Sequence, residues 1–433
     1  MNAALETVRA GAPLGTDTDF DSVCKNPLLP VDLQPVTEAD IEAEGTGFNL
    51  PEVWTGPDLF ASDGLWRLYA ARIHARQLLC AYGVRHRMTF CGARVRLRKE
   101  GVGVYRRPDR VVGRVSGICL CGGSITCPVC APRISARRVG ELVEAVNVCR
   151  ARGYAVQMAT YTLKHAAGCV LFDEVDVWKR AWRVANTGWC SGRARANRVG
   201  YVNSAEVTFG QFSWNFHRHL LLIGREPANA LALKDAWRKG AMEVGRYDRN
   251  FEEHGFNLLD VELGAERYIA KIGREIGSPH GKTSSRTPLR LLIDDMLGDR
   301  LAGEAWIESV VALSRHKVGA VRWSPRLRGY LGLDEEKTDE QLAAEEAVPT
   351  DELLGYLSEH QWQRVVEKKI EFQVVAAAQD GVVEVNKLLA AHSIAQLHAP
   401  ERWIPAPAVQ ETQGVLSEQE LNREYSDTDS ESA

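Results

Sequence analysis

The chain has 433 residues, 45% of them hydrophobic, enough to bury a large core in two or three domains. No apolar run approaches the ~20 residues that span a bilayer, and the N-terminus lacks a basic region followed by an apolar core, so a cytoplasmic protein without a membrane span is expected. The net charge of -4 conceals a segregation: residues 1–63 hold 2 basic against 12 acidic side chains, residues 334–433 hold 7 against 22, and residues 64–333 hold 44 against 23. A strongly basic body between acidic flanks is the electrostatic footprint of a nucleic-acid-binding protein, because affinity for the phosphate backbone comes from clustered Lys and Arg.

Residues 1–60, rich in Pro, Gly, Asp and Thr without periodicity, read as a disordered acidic segment. Leu65, Leu68, Tyr69, Arg72, Ile73, Arg76 and Leu79 then recur at helical spacing up to Tyr82, with Arg on the exposed face. Residues 61–152 form a basic zinc-binding element with flanking helices in this reading. Cys127-Pro-Val-Cys130 has the look of a zinc knuckle, since two thiolates three positions apart in a tight turn can face one tetrahedral ion. Cys121 is the nearest third ligand, and Cys91 is preferred for the fourth, with Cys119 as its rival. Ten cysteines in a cytoplasmic chain favour metal over disulfides, and the ion would fold a small basic element short of apolar surface. Ile134 to Arg152 reads as an amphipathic helix, with Arg133, Arg137 and Arg138 near its start as candidate DNA contacts.

From residue 153 to 298 the order is strand, helix, strand, strand, helix, strand. The strands are Tyr154 to Leu163, 199–209, 212–223 and Phe256 to Val261; the helices are 173–185 and a segment that Pro227 opens and that runs to about Val244. That order predicts an α+β fold built on a ferredoxin-like antiparallel sheet with the hairpin at its centre. His217 and His219, two apart on the second hairpin strand, project from one face while Arg218 points to the other. Glu206 on the partner strand can reach the same ion, a mixed nitrogen and oxygen set suited to Mn²⁺ or Mg²⁺. A further helix is expected over Glu262 to Ile276, with Tyr268 and Lys271 sharing its polar side. A tyrosine hydroxyl, with a pKa near ~10, is a poor nucleophile until a cation or base helps remove its proton, and Lys271 or a metal ion can do so. Lys164 and Arg274 complete the candidate DNA contacts.

Residues 299–410 read as mainly helical, with helices over 351–370 and 383–397 around a more extended Lys369 to Ala376, and as a possible origin- or partner-binding module. Residues 411–433 read as a disordered acidic tail.

The strand Thr160-Tyr-Thr-Leu-Lys-His165, the strand Trp214-Asn-Phe-His217-Arg-His219 and the helical Tyr268-x-x-Lys271 together resemble the three motifs of the HUH endonucleases, and specifically the rolling-circle plasmid replication initiators of actinobacterial type. Such initiators also carry a Cys-Gly-Ser-like run into Cys-Pro-Val-Cys, matched by Cys121 to Cys130. The resemblance runs from about Cys91 to Glu346. It implies a metal-dependent endonuclease and strand transferase in which His217, His219 and Glu206 hold the ion and Tyr268 attacks. The product would be a 5′-phosphotyrosine and a free 3′-OH, with Lys271 orienting the phosphate. Origin DNA, single-stranded at the nick, and a host helicase and polymerase are the implied partners. Asn215 and Arg218 stand where the family more often has His and an apolar residue, and Gly264 stands where some members have a glutamate. A single-strand transposase of the same superfamily and a non-catalytic zinc-containing DNA-binding regulator are the competing readings.

Overall fold

The structure is a computed structural model that describes residues 62–96, 101–108, 112–165, 168–189, 197–210, 213–226, 229–248, 250–260, 285–344 and 351–400. It opens with helix α1, Ser62–Ala81, followed by a 3-10 turn over Arg87–Phe90 and strands β1, Val102–Arg106, and β2, Arg114–Val115. Helix α2 spans Cys130–Ala151, with Pro132 in its first turn, where the ring costs no backbone hydrogen bond. Ile134, Leu142, Ala145, Val146 and Cys149 make its buried stripe.

The central unit is β3, Ala155–Tyr161, α3, Leu171–Trp189, β4, Arg198–Gly210, β5, Trp214–Gly224, α4, Asn229–Glu243, α5, Phe251–His254, and β6, Phe256–Asp260. After it come β7, Ser285–Arg286, α6, Pro288–Met296, α7, Arg300–Arg315, β8, Val321–Trp323, α8, Leu327–Leu331, and α9, Asp339–Ala344. The described chain closes with β9, Glu352–Leu357, α10, Glu359–Glu367, α11, Glu371–Asp380, and α12, Val382–Ala391. Among the described residues no helix is long and apolar enough to cross a membrane.

The larger sheet has the spatial order β6-β3-β5-β4-β7, with β8 also on β4, and every pairing is antiparallel. Trp178 of α3 meets Phe216 of β5 edge-on with centroids 5.8 Å apart. Helix α4 packs on α3 so closely that a β-carbon at Gly240 would lie 2.3 Å from the Ala181 carbonyl oxygen. Trp178, Trp189, Trp214, Trp237 and Trp306 fill the deepest core positions. The resulting α+β architecture agrees with the expected class.

A smaller sheet, β2-β1-β9, joins distant parts of the chain, with Val102 opposite Leu357 and Arg106 opposite Glu352. Two sheet pairings therefore cross the boundaries expected at 152/153 and 298/299, β1 with β9 and β4 with β8. The C-terminal reading needs correction. The start of the expected 351–370 helix is strand β9, and the stretch expected to be extended over Lys369 to Ala376 lies mostly in α11. Ser358 and Gln361 form a capping box that fixes the start of α10 and separates it from the strand. The last helix stops at Ala391 rather than 397.

A second correction concerns α1. Arg72 and Arg76, expected on the exposed face, are 1% and 7% exposed. Both face Glu371 of α11, with Nη2 to Oε1 distances of 3.6 and 2.6 Å. The fully buried carboxylate draws the two guanidinium groups inward.

Candidate metal centres

Cys91 follows the 3-10 turn, Cys121 lies in the following loop, and Cys127 and Cys130 flank the first turn of α2. All four are buried and reduced. Their Sγ atoms stand 3.7 Å (Cys91 to Cys127), 3.6 Å (Cys91 to Cys130) and 3.7 Å (Cys121 to Cys130) apart. A disulfide needs about 2.05 Å. Four sulfurs about 2.3 Å from a tetrahedral zinc are instead separated by about 3.8 Å, so the spacing fits a Cys₄ metal site. Backbone N–H groups of Gly123 and Cys130 donate to Cys121 and Cys127 Sγ, each at 3.4 Å, as a knuckle turn requires.

Hydrogen bonds from Cys121, Cys127 and Cys130 hold the Cys91 thiol well below its ordinary range, whereas Cys121 is pushed up by its sulfur neighbours and Cys127 by burial. Without a cation one thiolate forms at the expense of the rest; a metal removes that competition. The Arg72 guanidinium adds positive charge beside the cluster, packed 4.5 Å from the Tyr69 ring centroid. Cys119, the rival fourth ligand, is outside the group: it is half-buried, and its backbone pairs with Arg94 and Gly92.

The second centre lies mid-sheet. Register places Glu206 opposite His217, Ser204 opposite His219, and Thr160 of β3 opposite His219 from the other side. Glu206 Oε2 contacts His217 Nε2 and lies 2.7 Å from His219 Nε2. Burial alone would raise the Glu206 pKa, but the two imidazoles outweigh it and hold the carboxyl far below the usual range. His217 Nδ1 donates to Asn215 Oδ1 at 3.2 Å, and His219 Nδ1 meets Thr160 Oγ1 at 2.9 Å. These outer partners turn both Nε2 atoms toward the carboxylate, an arrangement that metal-bound histidines commonly use. One carboxylate oxygen and two imidazole nitrogens thus converge within 4.8 Å, a donor set that fits a hard divalent ion.

Asn215 and Thr160 are supporting residues that the sequence reading did not assign. The alternation of β5 puts Asn215 on the face of His217, a signal carried by the sequence itself; Thr160 reaches His219 only through the register of β3 on β5.

The remaining candidates fare differently. Tyr268, Lys271 and Arg274, with the helix expected over Glu262 to Ile276, lie outside the described residues. Lys164 is exposed and pairs with Asp248 at 3.0 Å. Arg133 and Arg137 are partly buried on α2. Arg138, expected to contact DNA, is instead buried, its guanidinium held by Glu141 at 2.9 Å and Asp339 at 3.0 Å, so it ties α2 to α9.

The fold and its two donor sets describe an α+β protein with two candidate metal centres. The chain is similar to "Protein rep" of Streptomyces lividans, 25% identical over 349 residues, covering 61% of this chain and 76% of that relative. It is also similar to "Neomycin resistance protein" of Streptomyces cyanogenus, 27% identical over 134 residues, covering 25% of this chain and 31% of that one. The first similarity bears out the resemblance to plasmid Rep proteins that the motifs carry. No protein-family model matches the chain, and no solved structure does.

Proposed function

We propose that the chain is a rolling-circle replication initiator that nicks one origin strand with Tyr268. The observation that carries the reading is the convergence of Glu206, His217 and His219 on adjacent strands of one sheet, upstream of the Tyr-x-x-Lys pair. The similarity to a Streptomyces Rep protein supports a role in replication. The strand order β6-β3-β5-β4, within a strand, helix, strand, strand, helix, strand sequence, supports the ferredoxin-like sheet that the HUH resemblance implies.

Glu206, His217 and His219 would hold the divalent ion, Mn²⁺ or Mg²⁺. Bound there, it supplies Lewis-acid polarisation of the scissile phosphate. The Tyr268 oxygen attacks phosphorus as its phenolic proton passes to solvent, the bond to the 3′-oxygen breaks, and that oxygen takes a proton back from solvent to become a free 3′-OH. The strand's 5′ end stays attached as a phosphotyrosine, and later attack by a 3′-OH reverses the step and rejoins the displaced strand. Lys271 neutralises the phosphate. The target must be single-stranded or extruded, so supercoiling promotes cutting. The Cys₄ site takes zinc and orders the basic N-terminal element against the DNA.

The test is nicking of supercoiled origin DNA with Mn²⁺ or Mg²⁺. Wild-type protein should cut and become covalently attached at the 5′ end, and both Tyr268→Phe and the His217→Ala, His219→Ala double variant should fail. Attachment by Tyr268→Phe would reassign the nucleophile, and origin binding without any cutting would favour a non-catalytic regulator.

A further inference from the structure

We propose that the sheet face opposite the Glu206, His217 and His219 centre carries a phosphate-binding site built from Arg218, Lys179 and Arg322. Alternation along β5 sends Arg218 to the face away from the two histidines. Arg322 of β8 sits opposite Asn203 of β4, which sits opposite Leu220, two residues beyond Arg218, so Arg322 and Arg218 share that face.

Arg218 is 7% exposed. Its guanidinium lies 5.0 Å from the Trp178 ring centroid and 5.5 Å from that of Phe216. Among the described residues no carboxylate pairs with it, and its Nε is buried without a hydrogen-bond partner. A buried arginine is normally compensated by an acid, because an uncompensated internal charge is costly. Here the charged side chains that act on it are themselves cations, Arg322 and Lys179.

Lys179 is held in place beside them. His316 Nε2 donates to the Phe172 carbonyl at 2.9 Å, leaving Nδ1 to accept from Lys179 Nζ at 3.3 Å, while Nζ also donates to the His316 carbonyl at 2.7 Å. Arg322, which is exposed, donates to the Lys317 carbonyl at 3.3 Å. Asp176 acts on Lys179 from the same helix, and its carboxylate is engaged by Arg180 at 3.2 Å. The cluster thus grades from exposed Arg322 through half-buried Lys179 to buried Arg218 and, among the described residues, lacks a counter-charge for the innermost cation. A tetrahedral oxyanion supplies that charge and several acceptors at once, and a planar guanidinium fixed on an aromatic ring is suited to hold it. The assignment rests on the chain's own cations and does not depend on the nicking reading.

The source of the phosphate is a DNA backbone or a free phosphate, and the experiment separates them. The melting temperature of the full chain is followed against sodium phosphate, with sodium chloride added to constant ionic strength. Wild type should show a saturable rise, and Arg218→Met and Lys179→Met should each need at least about tenfold more phosphate for the same rise, as loss of one charge-assisted contact predicts. Comparing each variant with itself removes any effect of the substitution on stability. In parallel, binding of a labelled single-stranded oligonucleotide is measured against salt. A DNA source predicts that Arg218→Met weakens binding and reduces the salt slope by about one; a free-phosphate source predicts unchanged DNA binding with the thermal response lost. A wild type that responds to phosphate but binds no DNA would leave this site standing and sink the replication reading. Identical phosphate responses in wild type and both variants, or none in any, would overturn the proposal.

Discussion

Arg76 of α1 donates a 2.6 Å hydrogen bond to Glu371 of α11, 295 positions later in the chain, and both side chains are buried. Arg72 shares the same carboxylate oxygen. Removing the acid leaves two buried cations without compensation. Glu371→Ala is expected to destabilise the fold by about 3–5 kcal/mol, read as a lower urea midpoint. Glu352→Ala, which removes an exposed partner of Arg106, should change stability by less than about 1 kcal/mol. Equal midpoints for the two variants would show that the buried triad adds nothing.

The choice of Cys91 over Cys119 is testable by metal content. Protein purified with Cys91→Ser should lose its zinc and unfold at lower temperature, and Cys119→Ser should retain both zinc and melting temperature. Native mass spectrometry of the two variants decides the ligand set. Zinc retained by Cys91→Ser and lost by Cys119→Ser would reverse the assignment.

His86 gives a pH dependence with a definite sign. Its Nδ1 accepts from the Met88 N–H at 3.2 Å, so Nε2 carries the proton and donates to Ser314 Oγ at 2.9 Å. Burial, and then the adjacent Arg87, push its pKa down to about 4 from an ordinary 6.5. The unfolded chain therefore takes up this proton first, so the contribution of His86 is complete above pH 6.5 and is lost as the pH falls toward 4. Urea midpoints over that window should fall more steeply for wild type than for His86→Gln; parallel curves would rule the residue out as their cause.

Gly240 separates a packing role from a helix-propensity role. Alanine normally improves a helix interior by up to about 1 kcal/mol. Here the added methyl meets the Ala181 carbonyl at 2.3 Å, so Gly240→Ala should instead cost about 1–3 kcal/mol by overpacking. A raised melting temperature would mean that α3 and α4 can separate without penalty.

The hairpin, its histidine pair, Glu206 and the Cys121, Cys127 and Cys130 group are legible because each depends on short spacing: alternation for His217 and His219, a tight turn for Cys127 and Cys130; Cys91, 36 positions before Cys127, has no such signal to separate it from Cys119. Elements fixed by distant partners are not. Leu353 to Leu357 resembles the start of the helix that follows it, and becomes a strand by pairing with Val102 to Arg106. Arg72 and Arg76 look solvent-facing until Glu371 is brought against them. Arg138 reads as a DNA contact because nothing nearby in sequence reveals Asp339 as its partner.

The small sheet also sets an order of events during synthesis. Arg114 and its ion-pair partner Asp351 are 237 positions apart. At about 5–20 residues per second, strands β1 and β2 leave the ribosome about 12–50 s before β9 can be added beside them. Throughout that interval β1 has one open edge, and its arginine-rich neighbourhood discourages other chains from pairing there. The strand that finishes the sheet is made only after the whole central domain has emerged, so the basic element reaches its final form last.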